Sequence, residues 1–128
     1  MSNLPDCPFC SLPQSRILHV GSWTLTFKDA FPVSLGHTLI VPKRHVHSFF
    51  ELEEHEVNEL MLFLKKEKDS LVKELHPDGF NIGVNDGAAA GQTVPHLHVH
   101  LIPRYLGDCG DPRGGVRWIF PDKAKYWS

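Results

Sequence analysis

From His96 to Ile102 the chain reads His-Leu-His-Val-His-Leu-Ile, a strict alternation of imidazole and aliphatic side chains. Successive residues of a β-strand point to opposite faces, so the stretch fits a sheet with Leu97, Val99 and Leu101 on the core side. His96, His98 and His100 then share the other face, and a strand is predicted from His96 to Pro103. At a rise of about 3.3 Å per residue the outer two α-carbons of the row lie roughly 13 Å apart. Three ligands on one straight strand would strain to reach one ion, whereas two could share a metal with residues from elsewhere. A solvated strand face that happens to be rich in histidine is the plainer alternative.

The flanking sequence supplies the rest of a small α+β domain spanning residues 1–128. Arg16 to Lys28 alternates around Val20-Gly21-Ser22 and reads as a hairpin, and Gly36 to Pro42 as a further strand ended by its proline. Between Glu53 and Leu75, Val57, Leu60, Met61, Leu64, Leu71, Val72 and Leu75 recur at helical intervals, and His76-Pro77-Asp78-Gly79 stops the helix. Phe80 to Asn85 reads as a short strand and Asp86 to Thr93 as a loop rich in glycine and alanine. The tail from Arg104, punctuated by glycines and Pro112, reads as a loop followed by a short strand at Val116 to Phe120.

Imidazole suits nucleophilic phosphoryl chemistry. With a reference pKa of ~6.5 it is largely neutral at pH 7, offers a lone pair, and can leave again. His98, flanked by histidines able to donate to phosphate oxygens or to a leaving group, is the candidate nucleophile. Just upstream, Gly87-Ala88-Ala89-Ala90-Gly91-Gln92-Thr93 is either a plain turn or a small-residue loop whose N–H groups reach a phosphate, with Gln92 and Thr93 adding side-chain donors. Thirteen Lys and Arg against fifteen Asp and Glu give a net charge of -2, which excludes the basic field needed for extended nucleic acid. A small anionic ligand fits better. The chain has no apolar run approaching the ~20 residues of a membrane span and no apolar run of signal-peptide length at its start. Three irregularly spaced cysteines argue against a disulfide framework, so a soluble protein of a reducing, cytoplasmic compartment is expected.

Gly91-Gln92-Thr93-Val94-Pro95-His96-Leu97-His98-Val99-His100-Leu101-Ile102-Pro103-Arg104 resembles the signature of the histidine triad (HIT) superfamily. The likeness is to the fragile-histidine-triad and dinucleoside polyphosphate hydrolase branch, and it extends through Asn85-Asp86-Gly87 and Pro32 to Pro42. The resemblance implies an antiparallel sheet of about five strands with one long helix and a shorter helical segment, a homodimer, and no organic cofactor. It also implies a two-step reaction in which His98 takes a nucleoside monophosphate from a small nucleotide substrate and yields it to water. His100 would contact the phosphates, with His96 and His37 as supporting imidazoles. Asn85, Gly91, Gln92 and Thr93 would line the phosphate site, and Asp29 would hold ribose hydroxyls. The fragile branch typically has asparagine at the position of Asp29 and glutamine at that of Asn85. Dinucleoside polyphosphates such as diadenosine tetraphosphate are the expected substrates. A purine nucleoside phosphoramidase is the alternative within the same chemistry, and a non-catalytic nucleotide- or zinc-binding regulatory module the alternative outside it.

Cys7-Pro8-Phe9-Cys10, in the segment before residue 16, has the spacing of half a tetrahedral zinc site, or is a pair of reduced thiols packed at the N-terminus. In similar proteins the partners are a histidine in a Pro-Lys-Arg-His-like turn and the first histidine of the triad, here His45 and His96. A structural zinc on Cys7, Cys10, His45 and His96 is thus implied, with His96 holding the strand and not reacting. His19, His47, His55 and His76 read as surface or helix-end residues. Cys109 reads as incidental, Arg104 as either a distal-phosphate contact or one half of a surface ion pair, and Arg117 as a residue that could lean over the phosphates. No role follows for the tail at 105–128, whose aromatic residues read as core or dimer contacts.

Overall fold

The computed structural model describes residues 4–128. Its strands are β1 (Ile17–Val20), β2 (Thr24–Lys28), β3 (Thr38–Pro42), β4 (Gly79–Gly83) and β5 (Val99–Arg104), and its helices are α1 (Glu54–Leu75) and the single turn α2 (Pro121–Ala124). The five strands form one antiparallel sheet in the order β1-β2-β3-β5-β4, as expected for this α+β class. No helix of the described residues is long and apolar enough to cross a membrane.

Helix α1 begins at a reciprocal cap, in which Glu56 accepts the backbone N–H of Glu53 while the Glu53 side chain accepts a backbone N–H of the first turn. Glu56 is itself buried and held by Arg44 through Nη2–Oε1 and Nε–Oε2 contacts of 2.7 and 3.1 Å, which keep its carboxyl below the usual range. The helix lies across one face of the sheet, where Leu60 and Leu71 join Ile40, Val99 and Leu101 in the core. Met61 and Val72, expected in the buried stripe, are 36% and 41% exposed at its margins. On the core side stand Phe63, packed against that cluster, and Glu67. That carboxylate is buried and accepts the Thr26 hydroxyl at 2.7 Å while pairing with His19. His19 therefore has a partner that spacing along the chain does not disclose.

The opposite face carries a second cluster of Phe27, Leu39 and Val41, covered by Phe9 and Leu12 of the N-terminal segment. Register places Leu39 opposite His100 and Ile40 opposite Val99, so the histidine face is the one under this segment. Gly36 precedes β3 with φ +92°, and a β-carbon there would lie 2.7 Å from Leu75 Cδ1. Only glycine lets the chain pass so close beneath the end of α1 and deliver His37 to the sheet.

The tail departs from expectation. Gly115–Ile119 forms a 3-10 turn running into α2, where a strand was expected. The turn packs beside the outer strand β4 without pairing with it. Arg117 instead closes a local turn by donating to the carbonyls of Lys123 and Ala124 at 2.6 and 3.0 Å, and it does not line the cleft beside His100.

Candidate active site and metal cluster

The imidazole row divides in two. Regular pairing begins at Val99, so His96, Leu97 and His98 precede the strand in which they were expected, and Leu97 N–H is held by the Val46 carbonyl at 2.8 Å. Alternation of burial persists nonetheless, with Leu97, Val99 and Leu101 at 2% exposure or less. The row is also less open than expected. His98 is only 8% exposed because the N-terminal segment folds back over it. Phe9 meets the rings of His96 and His98 edge-on, with centroids 5.8 and 5.2 Å away. This contact could not be read from sequence beyond the placement of Phe9 between two candidate ligands.

His96 turns toward the cysteines. Its Nε2–H donates to the Pro42 carbonyl at 2.8 Å, which fixes the tautomer and leaves the Nδ1 lone pair facing outward. That Nδ1 lies 3.5 Å from Cys7 Sγ, 3.5 Å from Cys10 Sγ and 3.2 Å from His45 Nδ1, while Cys10 Sγ and His45 Nδ1 are 3.3 Å apart. Tetrahedral zinc bonds of roughly 2.3 Å to sulfur and 2.05 Å to nitrogen imply sulfur–nitrogen edges of about 3.5 Å and nitrogen–nitrogen edges of about 3.3 Å. The four residues expected from the resemblance are thus brought together with the edge lengths such an ion needs. Burial lowers the His96 pKa, keeping its ring neutral for ligation, and raises that of the Cys10 thiol.

His98 and His100 stay together, with ring centroids 5.1 Å apart, and the hydrogen bonds around them give the two rings opposite polarity. His98 Nδ1–H donates to the His96 carbonyl at 2.9 Å, so its Nε2 carries the lone pair. For His100 the order begins at Val33, whose backbone N–H donates to His37 Nδ1 at 3.1 Å. His37 must then be protonated at Nε2, which lies 2.9 Å from His100 Nδ1 and 3.4 Å from Asp29 Oδ2. His100 accepts on Nδ1 and presents Nε2–H. The same logic disposes of Asp29, His37 and His100 as a metal set, although their ligand atoms lie within 4.8 Å of one another. Ligation through His37 Nε2 would require an imidazolate.

The remaining expected residues divide similarly. Asn85 and Thr93 are exposed, and Asn85 lines a cleft of about 1120 Å³ together with His37 and His100. His98 does not itself line that cleft. The loop from Gly87 to Gln92 closes on itself as a 3-10 turn, with the N–H groups of Ala90, Gly91 and Gln92 bonded to carbonyls of the same loop. Gln92 is its brace. Oε1 accepts Gly87 N–H at 2.8 Å, and Nε2 donates to the carbonyls of His47 and Val94 at 2.9 and 3.1 Å. Asp29 Oδ1 accepts Phe31 N–H at 2.8 Å, which leaves Oδ2 beside His37. Arg104 is an ion-pair residue, held through Nε and Nη2 by Asp108 at 2.8 Å each and through Nη1 by Asn81 at 2.6 Å. Sequence reasoning missed Asp86, whose Oδ2 accepts Ser48 Oγ–H at 3.0 Å and Phe49 N–H at 2.9 Å, tying the loop to the chain after β3.

Burial, helped by His98 and His37, lowers the His100 pKa from 6.5 to about 4 against the opposing pull of Asp29, and His37 is lowered chiefly by burial. The unfolded chain binds more protons than the folded one between these values, so stability rises with pH over that window. Stability is therefore expected to fall as pH drops from 6.5 toward 4, by at most roughly 3 kcal/mol from His100, read as a lower melting temperature. The His100→Asn variant should show a flatter profile. Identical pH dependence in the two proteins would contradict the assignment.

The HIT domain model matches residues 14–107, which hold every strand and the whole imidazole row. The chain belongs to the HIT family. An uncharacterised HIT-like protein of Methanocaldococcus jannaschii is 40% identical over 106 residues, covering 80% of this chain and 81% of that one. The asymmetrical bis(5'-nucleosyl)-tetraphosphatase of Schizosaccharomyces pombe is 35% identical over 94 residues, 73% of this chain and 52% of that protein. A zinc-bound histidine triad family protein from Mycobacterium smegmatis superposes with a TM-score of 0.73 at 32% identity, covering 80% of this chain and 78% of that one. This HIT chain therefore shares its fold with a family that includes nucleotide hydrolases.

Proposed function

We propose that this HIT protein is a nucleotidyl hydrolase working through a covalent intermediate on His98. The reading rests on the opposed polarity of two adjacent rings, His98 Nε2 bearing a lone pair and His100 Nε2 bearing a proton. His98 Nε2 attacks the α-phosphorus, a nitrogen–phosphorus bond forms, and the bond to the leaving oxygen breaks with its electron pair, toward which His100 N–H is the donor. Water then attacks phosphorus, the nitrogen–phosphorus bond returns its pair to His98, and the nucleoside monophosphate departs. Asn85, Thr93 and Gly91 flank the phosphates, Asp29 meets the ribose hydroxyls, and Gln92 acts by bracing the loop. Cys7, Cys10, His45 and His96 would hold a structural zinc, which would tie the N-terminal segment to the sheet. Residues 1–128 act as one domain in a reducing compartment, and two copies pair as a homodimer.

Dinucleoside polyphosphates are the preferred substrates in this reading, supported by the Gln92-Thr93 signature and by the tetraphosphatase among the relatives. A purine nucleoside phosphoramidase is the second reading. It is favoured by the commitment of Arg104 to Asp108, which leaves that guanidinium occupied and not aimed at a polyphosphate. Side-by-side turnover of diadenosine tetraphosphate and an adenosine phosphoramidate, with intact-mass detection of a nucleotidyl adduct, tests both. Faster turnover of the tetraphosphate with an adduct is expected. Absence of any adduct together with no turnover of either compound would overturn the proposal.

A further inference from the structure

The cleft beside His100 has a wall that the family match does not supply. The match ends at residue 107, and beyond it the tail folds back to line the cleft with Val116 and Trp118, facing Val33 and Leu35 of the turn before β3. That wall is fixed from both ends. Asp108 clamps Arg104, Tyr105 O–H donates to the Leu35 carbonyl at 2.8 Å, and Trp118 Nε1–H donates to the Arg113 carbonyl at 2.8 Å. The surface so held is apolar yet uncovered, with Val116 at 73% and Leu35 at 70% exposure.

Charge decides what fits there. Arg104 is the cation lining the cleft, and it is paired with Asp108, while Asp111 is paired with Arg113 at 3.0 Å. The cleft thus offers apolar walls and the exposed amide of Asn85, with no free cation among the described lining residues to hold a chain of phosphates. Such a surface suits a flat, uncharged group with hydrogen-bonding edges. It is also continuous with His100, the donor toward the leaving oxygen.

We infer that this cleft is the subsite for the nucleoside of the leaving half of the substrate. The base lies between Val116 and Trp118 on the tail and Val33 and Leu35 of the turn before β3. The inference rests on the hydrolase reading for its choice of ligand, and its geometry is particular to this tail. A second copy of the chain, covering the same apolar wall, is the competing occupant.

Val116→Asp places a charge on the wall without disturbing a packed side chain, and Trp118→Ala removes the aromatic surface. Both are compared with wild type on diadenosine tetraphosphate and on adenosine 5'-phosphoramidate, which carries the same transferred group but no leaving nucleoside. The ratio of kcat/KM values, tetraphosphate over phosphoramidate, should fall at least about tenfold in Val116→Asp. Binding is measured independently in a His98→Ala background, where adding Val116→Asp should weaken the tetraphosphate at least about tenfold while AMP binding keeps its strength. An unchanged ratio with unchanged binding overturns the subsite, as does a shift from dimer to monomer in sedimentation with both unchanged, which would assign the wall to a second copy. If wild type turns over neither compound, the hydrolase reading falls, and the binding comparison still decides the subsite.

Discussion

His98→Ala is expected to reduce turnover of diadenosine tetraphosphate by at least about 10³-fold, roughly 4 kcal/mol of barrier, while nucleotide binding survives. The effect is large because no neighbouring group can take over. His100 presents a proton where His98 presents a lone pair, and the His96 lone pair faces the cysteines. Removing the ring also uncovers Phe9 and frees the His96 carbonyl, so the variant should melt somewhat lower, and its fold is checked by circular dichroism. Turnover close to wild type would sink nucleophilic attack by His98. It would favour a module that grips nucleotide without reacting.

The second large effect concerns the Cys/His cluster. The protein as isolated is expected to carry one zinc per chain by elemental analysis, and the Cys7→Ser/Cys10→Ser double variant none. The sheet has its own core beneath α1, so the variant should remain folded but lose about 3 kcal/mol or more, read as a lower denaturation midpoint. Activity should fall by a further factor of about 10 to 100, the range seen when groups that orient a ligand are removed. The link is physical. His96 takes part in the cluster through its ring and orients His98 through its carbonyl, and Phe9, between the two cysteines, covers both rings. Full activity and stability without metal would show the thiols to be packing groups only.

How much of this was legible in the chain depended on the range of the interaction. The helical spacing under α1 and the stop after Leu75 are local patterns that correspond to an observed element, while the alternation of residues 96–102 persists in burial but lies in a strand only from Val99 onward. Leu97, Val99 and Leu101 are buried as their period requires. What failed was tertiary. Met61 and Val72 have helical spacing but lie at the edge of the contact with the sheet, where period cannot say which flank wins. Arg104 looked equally fit for phosphate or carboxylate until the turn at Tyr105–Asp108 delivered a carboxylate four residues on. The tail was read as a strand because Val116 to Phe120 is rich in β-prone residues. Two left-handed glycines, Gly114 and Gly115, start a tight turn instead. At the site, residue identity pointed to the imidazoles, but the direction of each proton depended on backbone atoms that no side-chain pattern encodes.

That dependence has a consequence for how robustly the site keeps its polarity. A peptide nitrogen can only give a hydrogen and a peptide oxygen can only receive one, and the wiring at His37 and at His98 is anchored on one of each. Orientation of the reactive pair is thus inherited from the path of the main chain, insensitive to which residue other than proline decorates position 33 so long as that path is kept. Drift in sequence around the pair can alter what the protein grips while leaving the sense of its proton arrangement untouched.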